Sequence, residues 1–185
     1  MTHRLCRTIL VNAGTNQRIP SSRITAVDPR GGAAVLGDNG VGKTSTLQIV
    51  PLFFGHSPSQ IVSAGQGMEP MIRFLLPTDA SAIAFEYLRG PKDGAIRLAV
   101  IRRRPAGPDA PFYRIYNCGF RKELFVRDGR FLADDETQLQ ATALGISTTS
   151  KLSTPDYRSV ILAVPSHTKE RERLRRFGLD FSYGP

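Results

Sequence analysis

The sequence predicts an α/β fold in which a mixed sheet carries an antiparallel β insert. The first observation behind this prediction is a short apolar run, residues 33–36, that leads into a glycine-rich segment and then into a helix-forming stretch. The second is a series of strand-like runs between about residues 82 and 132, separated by turn-forming residues. A strand, a loop and a helix in that order are typical of an α/β unit, and the strand-like runs indicate an insert within it. At 185 residues, the chain is long enough to form one domain, residues 1–185, with a substantial core.

The glycine-rich segment, residues 37–44, reads Gly-Asp-Asn-Gly-Val-Gly-Lys-Thr and matches the phosphate-loop pattern G-x-x-x-x-G-K-[ST] at every fixed position. Glycines let the backbone turn its N–H groups toward an anion, and the following helix adds its partly positive N-terminus at the same point. Lys43 is predicted to reach the β- and γ-phosphates of ATP, and the Thr44 hydroxyl is predicted to bind Mg²⁺. The residues predicted to surround the nucleotide are Gly37, Asp38, Asn39, Gly40, Val41, Gly42, Lys43, Thr44 and Ser45.

The segment before this loop is expected to form two strands, one over residues 5–11 and one within residues 18–27. Apolar and β-branched side chains indicate the strands, and turn-forming residues follow each of them. The helix after the loop is expected to span residues 44–50 and to end near Pro51, because proline cannot donate a backbone hydrogen bond inside a helix.

The segment after that helix is expected to pass through a loop or short helices to about residue 69 and then to enter the antiparallel insert. Its strands are predicted over residues 82–87, 95–102 and 112–116, followed by a short hairpin over residues 124–132. Helices are predicted over residues 135–144, 154–164 and 168–177. A glycine closes the first and the third, and the second begins with Thr154 as N-cap and Pro155 in its first turn.

The chain carries a formal net charge of +9, from 25 basic and 16 acidic residues. A surplus of this size favours a polyanionic partner such as nucleic acid, although a solvated basic surface gives the same balance. The arginines predicted to contact the DNA backbone are Arg102, Arg103, Arg104, Arg173, Arg175 and Arg176. Glutamates are interleaved with arginines near the last three, so a solvated helix face is the alternative there.

The sequence does not indicate a membrane protein or a metal-binding protein. No apolar run approaches the roughly 20 residues that cross a bilayer, and the N-terminal residues do not form a signal peptide. Cys6 and Cys118 are far apart in the sequence, and no histidine is spaced as a metal ligand. We therefore expect a cytoplasmic protein with reduced thiols and no membrane partner.

The groups that would cleave ATP are not found in the sequence. Hydrolysis needs an acidic residue after a second apolar strand to hold Mg²⁺, and a group that orients the attacking water. The nearest candidate is the run Asp134-Asp135-Glu136, but the apolar run before it is too short for a buried parallel strand. An acidic first turn of the following helix is the favoured interpretation, because the helix dipole stabilises negative charge there. No catalytic residue is therefore assigned.

The whole chain resembles the N-terminal lobe of an SMC-like ATPase head, within the ABC-type phosphate-loop ATPases, and most resembles the branch of MukB, MksB and JetC. The resemblance is carried by the strand that ends Leu10-Val11-Asn12, by residues 37–44, by the antiparallel insert and by the ending over residues 154–184. That ending, with its helices over about residues 154–177, is similar to the transition from such a head to a coiled coil.

The resemblance implies a composite ATPase. A C-terminal lobe would supply the Mg²⁺-binding strand and the signature segment, and two heads would close over two ATP molecules. It also implies kleisin-type and accessory subunits, and contact with the DNA backbone during DNA loop extrusion or defence against foreign DNA. The chain departs from the family where a glutamine that touches Mg²⁺ is usual, because residues 164–167 read Val-Pro-Ser-His.

Two alternatives remain open from the sequence. In the first, the chain is a self-contained small phosphate-loop kinase or NTPase, and Asp134, Asp135 or Glu136 binds the metal. In the second, it is a nucleic-acid-binding module with a relict loop, whose DNA affinity would depend steeply on salt and would not respond to nucleotide.

Overall fold

The computed structural model describes residues 3–14, 24–28, 47–61, 72–73, 75–90, 94–103 and 111–162. Five strands form one sheet in the order β2-β1-β3-β4-β5, and every neighbouring pair is antiparallel. These strands are β1 (His3–Val11), β2 (Ile24–Val27), β3 (Ala82–Arg89), β4 (Ala95–Arg103) and β5 (Pro111–Tyr116). A short hairpin follows, formed by β6 (Val126–Arg127) and β7 (Arg130–Phe131).

The helices flank this sheet. They are α1 (Val50–Phe53), α2 (Pro58–Ile61), α3 (Asp134–Ala143) and α4 (Thr154–Leu162), with a 3-10 turn at Lys122–Leu124. One face of the sheet, which we call the helical face, carries Phe85 and Tyr87 and packs against α1 and α4. The other, which we call the hairpin face, carries Ala84 and Val100 and packs against the 3-10 turn and α3.

Both faces of the central strands are therefore covered, which explains why most of their residues are apolar rather than alternating with polar ones. The first six residues of β3 are buried on both faces. At the outer edge of β5, Tyr113 and Tyr116 form bridges with Leu152 and Thr148. This pairing satisfies backbone groups that an open edge would expose.

The predicted strands within residues 5–11, 18–27, 82–87, 95–102 and 112–116 are confirmed. The structure adds that β1 lies between β2 and β3, so the strands before the loop and those of the insert form a single sheet. The predicted strand over residues 33–36 and helix over residues 168–177 lie outside the described residues. The mixed sheet of a phosphate-loop fold therefore stays a prediction.

One detail of the helix predictions is confirmed and one is wrong. The helix after the loop ends near Pro51 as predicted, because Leu47 and Gln48 are followed by a turn at Ile49, which is the N-cap of the separate helix α1. Pro51 lies in the first turn of α1, where its missing N–H costs no hydrogen bond. The α4 helix is capped one residue earlier than expected, since Ser153 Oγ accepts from the Asp156 backbone N–H at 3.3 Å. The stop of α3 at Gly145 is confirmed by its φ of +67°, in the left-handed region.

Candidate functional site

The predicted phosphate loop, residues 37–44 with Ser45, lies outside the described residues. The structure does describe residues 47–53, which follow it and which we call the exit segment. Leu47 and Gln48 are helical, Ile49 is a turn residue with φ −80° and ψ −15° that caps α1, and α1 completes the segment. The expectation of a helix after the loop is therefore supported over residues 47–48.

One face of the exit segment is packed on the sheet. Ile49, Leu52 and Phe53 are fully buried, and their i, i+3, i+4 spacing places them on one side of a helix. The Phe53 ring contacts the rings of Phe85 and Tyr87, with centroids 5.6 and 5.4 Å apart. The sheet therefore fixes the position of Ile49 and α1, which follow the predicted nucleotide loop in the chain.

The C-terminal end of α1 contacts α4. The Tyr157 hydroxyl donates a hydrogen bond of 2.9 Å to the backbone carbonyl of Phe53, and both groups are buried. Gly55 follows with φ +73°, and a Cβ atom there would lie 2.6 Å from the Cβ of Arg158. A glycine is needed at this position both for its backbone conformation and for the close approach of α4.

The prediction that Arg102 contacts DNA is wrong, because its side chain is buried on the hairpin face with 1% of its surface exposed. Its guanidinium donates hydrogen bonds to the carbonyls of Asp79 and Leu132 at 2.9 and 3.1 Å, and to the Thr137 hydroxyl at 2.8 Å. Burial lowers the pKa of Arg102 from its ordinary value. Arg102 therefore has a structural role, because its hydrogen bonds join the turn before β3 to α3.

The Arg103 side chain points to the helical face and, like Arg102, binds the turn before β3. Its Nε and Nη2 atoms donate to the carbonyls of Leu76 and Pro77 at 3.0 and 3.3 Å. The half-buried Arg103 side chain is thus also engaged in holding the turn before β3. The other arginines predicted to contact DNA, Arg104, Arg173, Arg175 and Arg176, lie outside the described residues.

Asp134 is the buried member of the acidic run. Arg114 donates to its two carboxylate oxygens at 2.9 Å each, and Lys151 Nζ lies 3.1 Å from Oδ2. Burial alone would raise the pKa of Asp134, but the hydrogen bonds and charges of Arg114 and Lys151 lower it below its ordinary value. A carboxylate bound in this way is an ion-pair partner rather than a free metal ligand.

Glu136 is also held by hydrogen bonds, although it lies at the surface. Its oxygens accept from Arg130 at 2.6 and 2.9 Å and from the Ala133 backbone N–H at 3.0 Å. These hydrogen bonds lower its pKa to about 2. The acidic run therefore opens α3, as the favoured interpretation predicted. Among the described residues, no cluster of three His, Cys, Asp or Glu side chains could hold a metal ion.

The charged residues inside the strands were not predicted from the sequence to form structural ion pairs. Glu86 on β3 accepts from Arg7 at 2.8 and 2.9 Å and from the Phe120 backbone N–H at 2.8 Å. Arg114 on β5 binds Asp134, which is 20 residues away in the chain. Each of these strands carries a charged residue between apolar ones, and a buried charge is costly unless it is paired, so the sequence did indicate a buried partner.

In the described residues, an antiparallel sheet is covered on both faces, and the buried Arg114–Asp134 ion pair lies on the hairpin face. The chain belongs to the DUF3584 family, which is described as a protein of unknown function, and the match covers residues 15–185. Neither the comparison with curated proteins nor the comparison with solved structures finds a match. In the part of the chain that the structure describes, no helix is long and apolar enough to span a membrane.

Proposed function

We propose that this chain is the ATP-binding half of an SMC-like ATPase head. The carrying observation is the phosphate-loop pattern over residues 37–44, with Lys43 and Thr44 at its end, followed by a helix packed on the sheet. Ile49, Leu52 and Phe53 are buried against the sheet, so the segment that follows the predicted loop has a fixed place in the fold. A helix N-terminus directly after such a loop is a typical phosphate-binding site.

ATP and Mg²⁺ are the proposed cofactors, with Thr44 as the metal-binding hydroxyl. The residues that complete hydrolysis would come from a C-terminal lobe, on the same chain or another, and from a second head. The further proposed partners are kleisin-type and accessory subunits and the DNA backbone. The proposed location is the cytoplasm, with no membrane partner. In this assembly, ATP-dependent association of the heads would drive DNA organisation or defence against foreign DNA. Assignment to the MukB, MksB and JetC branch belongs to the same proposal.

The kinase alternative is disfavoured by the contacts of the acidic run. Asp134 is bound by Arg114 and Lys151, and Glu136 is bound by Arg130, so a metal at either of these two carboxylates would have to displace these cations first. The relict-loop alternative receives no support from Arg102, whose buried side chain cannot reach a DNA phosphate.

The proposal is tested by the affinity of the purified chain for ATP-Mg²⁺, measured by titration calorimetry beside Lys43→Ala. We expect wild-type binding, and at least about a tenfold loss of affinity in the variant, since a charge-assisted contact to phosphate disappears. Equal affinity of the two proteins would show that the loop does not hold the triphosphate. No binding by the wild type would favour the relict-loop alternative.

A further inference from the structure

Four arginines lie at one end of the large sheet. Because neighbouring strands are antiparallel, β1 and β4 begin at the end of the sheet where β3 and β5 finish. Arg4 near the start of β1, Arg89 at the end of β3 and Arg97 near the start of β4 all lie there. Burial raises the pKa of the Cys118 thiol, and the charges of Arg121 and Arg97 oppose this shift, so Arg121 lies near the same end. We call these four side chains the sheet-end arginines.

The sheet-end arginines lie on both faces of the sheet. Arg4 pairs with Leu88, and the alternation of side chains along a strand places both on the hairpin face. Arg97 pairs with Tyr87, which belongs to the helical face, and Arg89 lies two residues beyond Tyr87 on the same face. A ligand at this end of the sheet therefore meets positive charge on either side of the strands.

The charge of the sheet-end arginines is not balanced by nearby carboxylates. Those on β1 and after β5 are exposed, those on β3 and β4 are half-buried, and no ion pair within the described residues involves any of the four. Glu86 is already bound by Arg7 at 2.8 and 2.9 Å. Lys122 and Glu123, which follow Arg121, cancel each other in charge. This end of the sheet is therefore a basic surface.

We propose that the sheet-end arginines contact the phosphate backbone of double-stranded DNA. This inference rests on the proposed function for the kind of partner, and it places the contact on a surface of the described fold. The major groove of B-DNA is about 12 Å wide and admits a two-stranded β-ribbon, with a phosphate backbone on either side. Arginines on both faces of β3 and its neighbours suit that arrangement, and guanidinium groups bind phosphate through paired hydrogen bonds. A flat membrane surface would engage only one face.

The test measures the affinity of the purified chain for a short fluorescein-labelled duplex DNA, by fluorescence anisotropy, from about 50 to about 200 mM salt. Arg4→Gln/Arg121→Gln and Arg89→Gln/Arg97→Gln each remove two of the sheet-end arginines. We expect each double variant to bind at least about tenfold more weakly at the lower salt, because two charge-assisted contacts are lost. Each should also reduce the slope of log affinity against log salt by about two.

Arg127→Gln/Arg130→Gln is the matched control. It removes two arginines that are 69% and 64% exposed, but they lie on the β6–β7 hairpin beside α3. This control should keep the wild-type slope, since the net charge changes equally but no phosphate contact is lost. If a sheet-end double variant does not fold, its single variants should each reduce the slope by about one.

The inference is overturned if the wild type does not bind the duplex at the lower salt, if either sheet-end variant keeps the wild-type slope, or if the control loses as much. Binding of the wild type to phosphatidylserine vesicles but not to the duplex would also overturn it, in favour of a membrane. None of these results changes the ATP-Mg²⁺ affinity that tests the proposed function. Conversely, a chain that binds the duplex through the sheet-end arginines but does not bind ATP-Mg²⁺ would support this surface and overturn the proposed function.

Discussion

Replacing Asp134 by asparagine is expected to lower the free energy of unfolding by about 3–5 kcal/mol, the usual result of removing one partner from a buried ion pair. The Arg114 and Asp134 side chains are only 8% and 11% exposed, so the substitution leaves the guanidinium charge without a counter-ion inside the protein. Urea unfolding followed by circular dichroism measures the change.

Asp135→Asn is the matched control for this variant, because it makes the same chemical change one residue later in the first turn of α3. The Asp135 side chain is 89% exposed and its contact with Lys151 is 3.8 Å, so we expect a loss below about 1 kcal/mol. If Asp134→Asn cannot be purified folded, the double variant Arg114→Met/Asp134→Leu should recover much of the stability, since it leaves no unpaired charge. Equal effects of Asp134→Asn and Asp135→Asn would contradict the buried pair.

The same ion pair has a pH signature. The folded-state pKa of Asp134 lies below its ordinary value of 3.8, so its contribution to stability is present above that value and is lost as the pH falls through the lower folded-state pKa. The difference in unfolding free energy between the wild type and Asp134→Asn should therefore be constant near neutral pH and should narrow below about pH 4.

Replacing Gly55 by alanine is expected to cost about 3 kcal/mol of unfolding free energy. A φ of +73° is unfavourable for alanine by roughly 1–2 kcal/mol, and the new methyl group would lie 2.6 Å from Arg158 Cβ and 2.9 Å from its Cα. Since the nearest atoms belong to the Cβ and backbone of α4, the helices must move apart, which adds about 1–3 kcal/mol. Thermal and urea unfolding measure the loss.

Gly145→Ala separates the cost of the backbone conformation from the cost of the steric contact. Gly145 has a similar φ of +67°, but a Cβ atom there would meet nothing within 4 Å, so only the backbone cost applies. We expect it to lose about half as much stability as Gly55→Ala, or less. Indistinguishable losses would mean that the close approach of α4 to Gly55 contributes nothing.

The strands and the later helices could be predicted because their signals are local. Apolar and β-branched runs predicted β3, β4 and β5, and Gly145 predicted the end of α3. The placement of β1 between β2 and β3 could not be predicted, since it depends on pairing between residues more than 70 positions apart. No sequence period carries that information.

The role of Arg102 shows the same limit for the candidate site. A run of three arginines at a strand end looks like a basic surface, and only the packing of α3 and the turn before β3 on the hairpin face reveals that its side chain is buried. The acidic run was interpreted correctly as the first turn of a helix, but its partner Arg114 was not foreseen, because the pair forms only in the folded chain.

We propose that this chain holds ATP while the groups that cleave it come from a C-terminal lobe and a second head. The most direct measurement follows ATP-Mg²⁺ bound to an excess of the purified wild-type chain and determines how much is recovered intact over several hours. We expect bound and essentially uncleaved ATP, with a rate of phosphate release no higher than that of Lys43→Ala. Rapid turnover by this chain alone, abolished in Lys43→Ala, would contradict it.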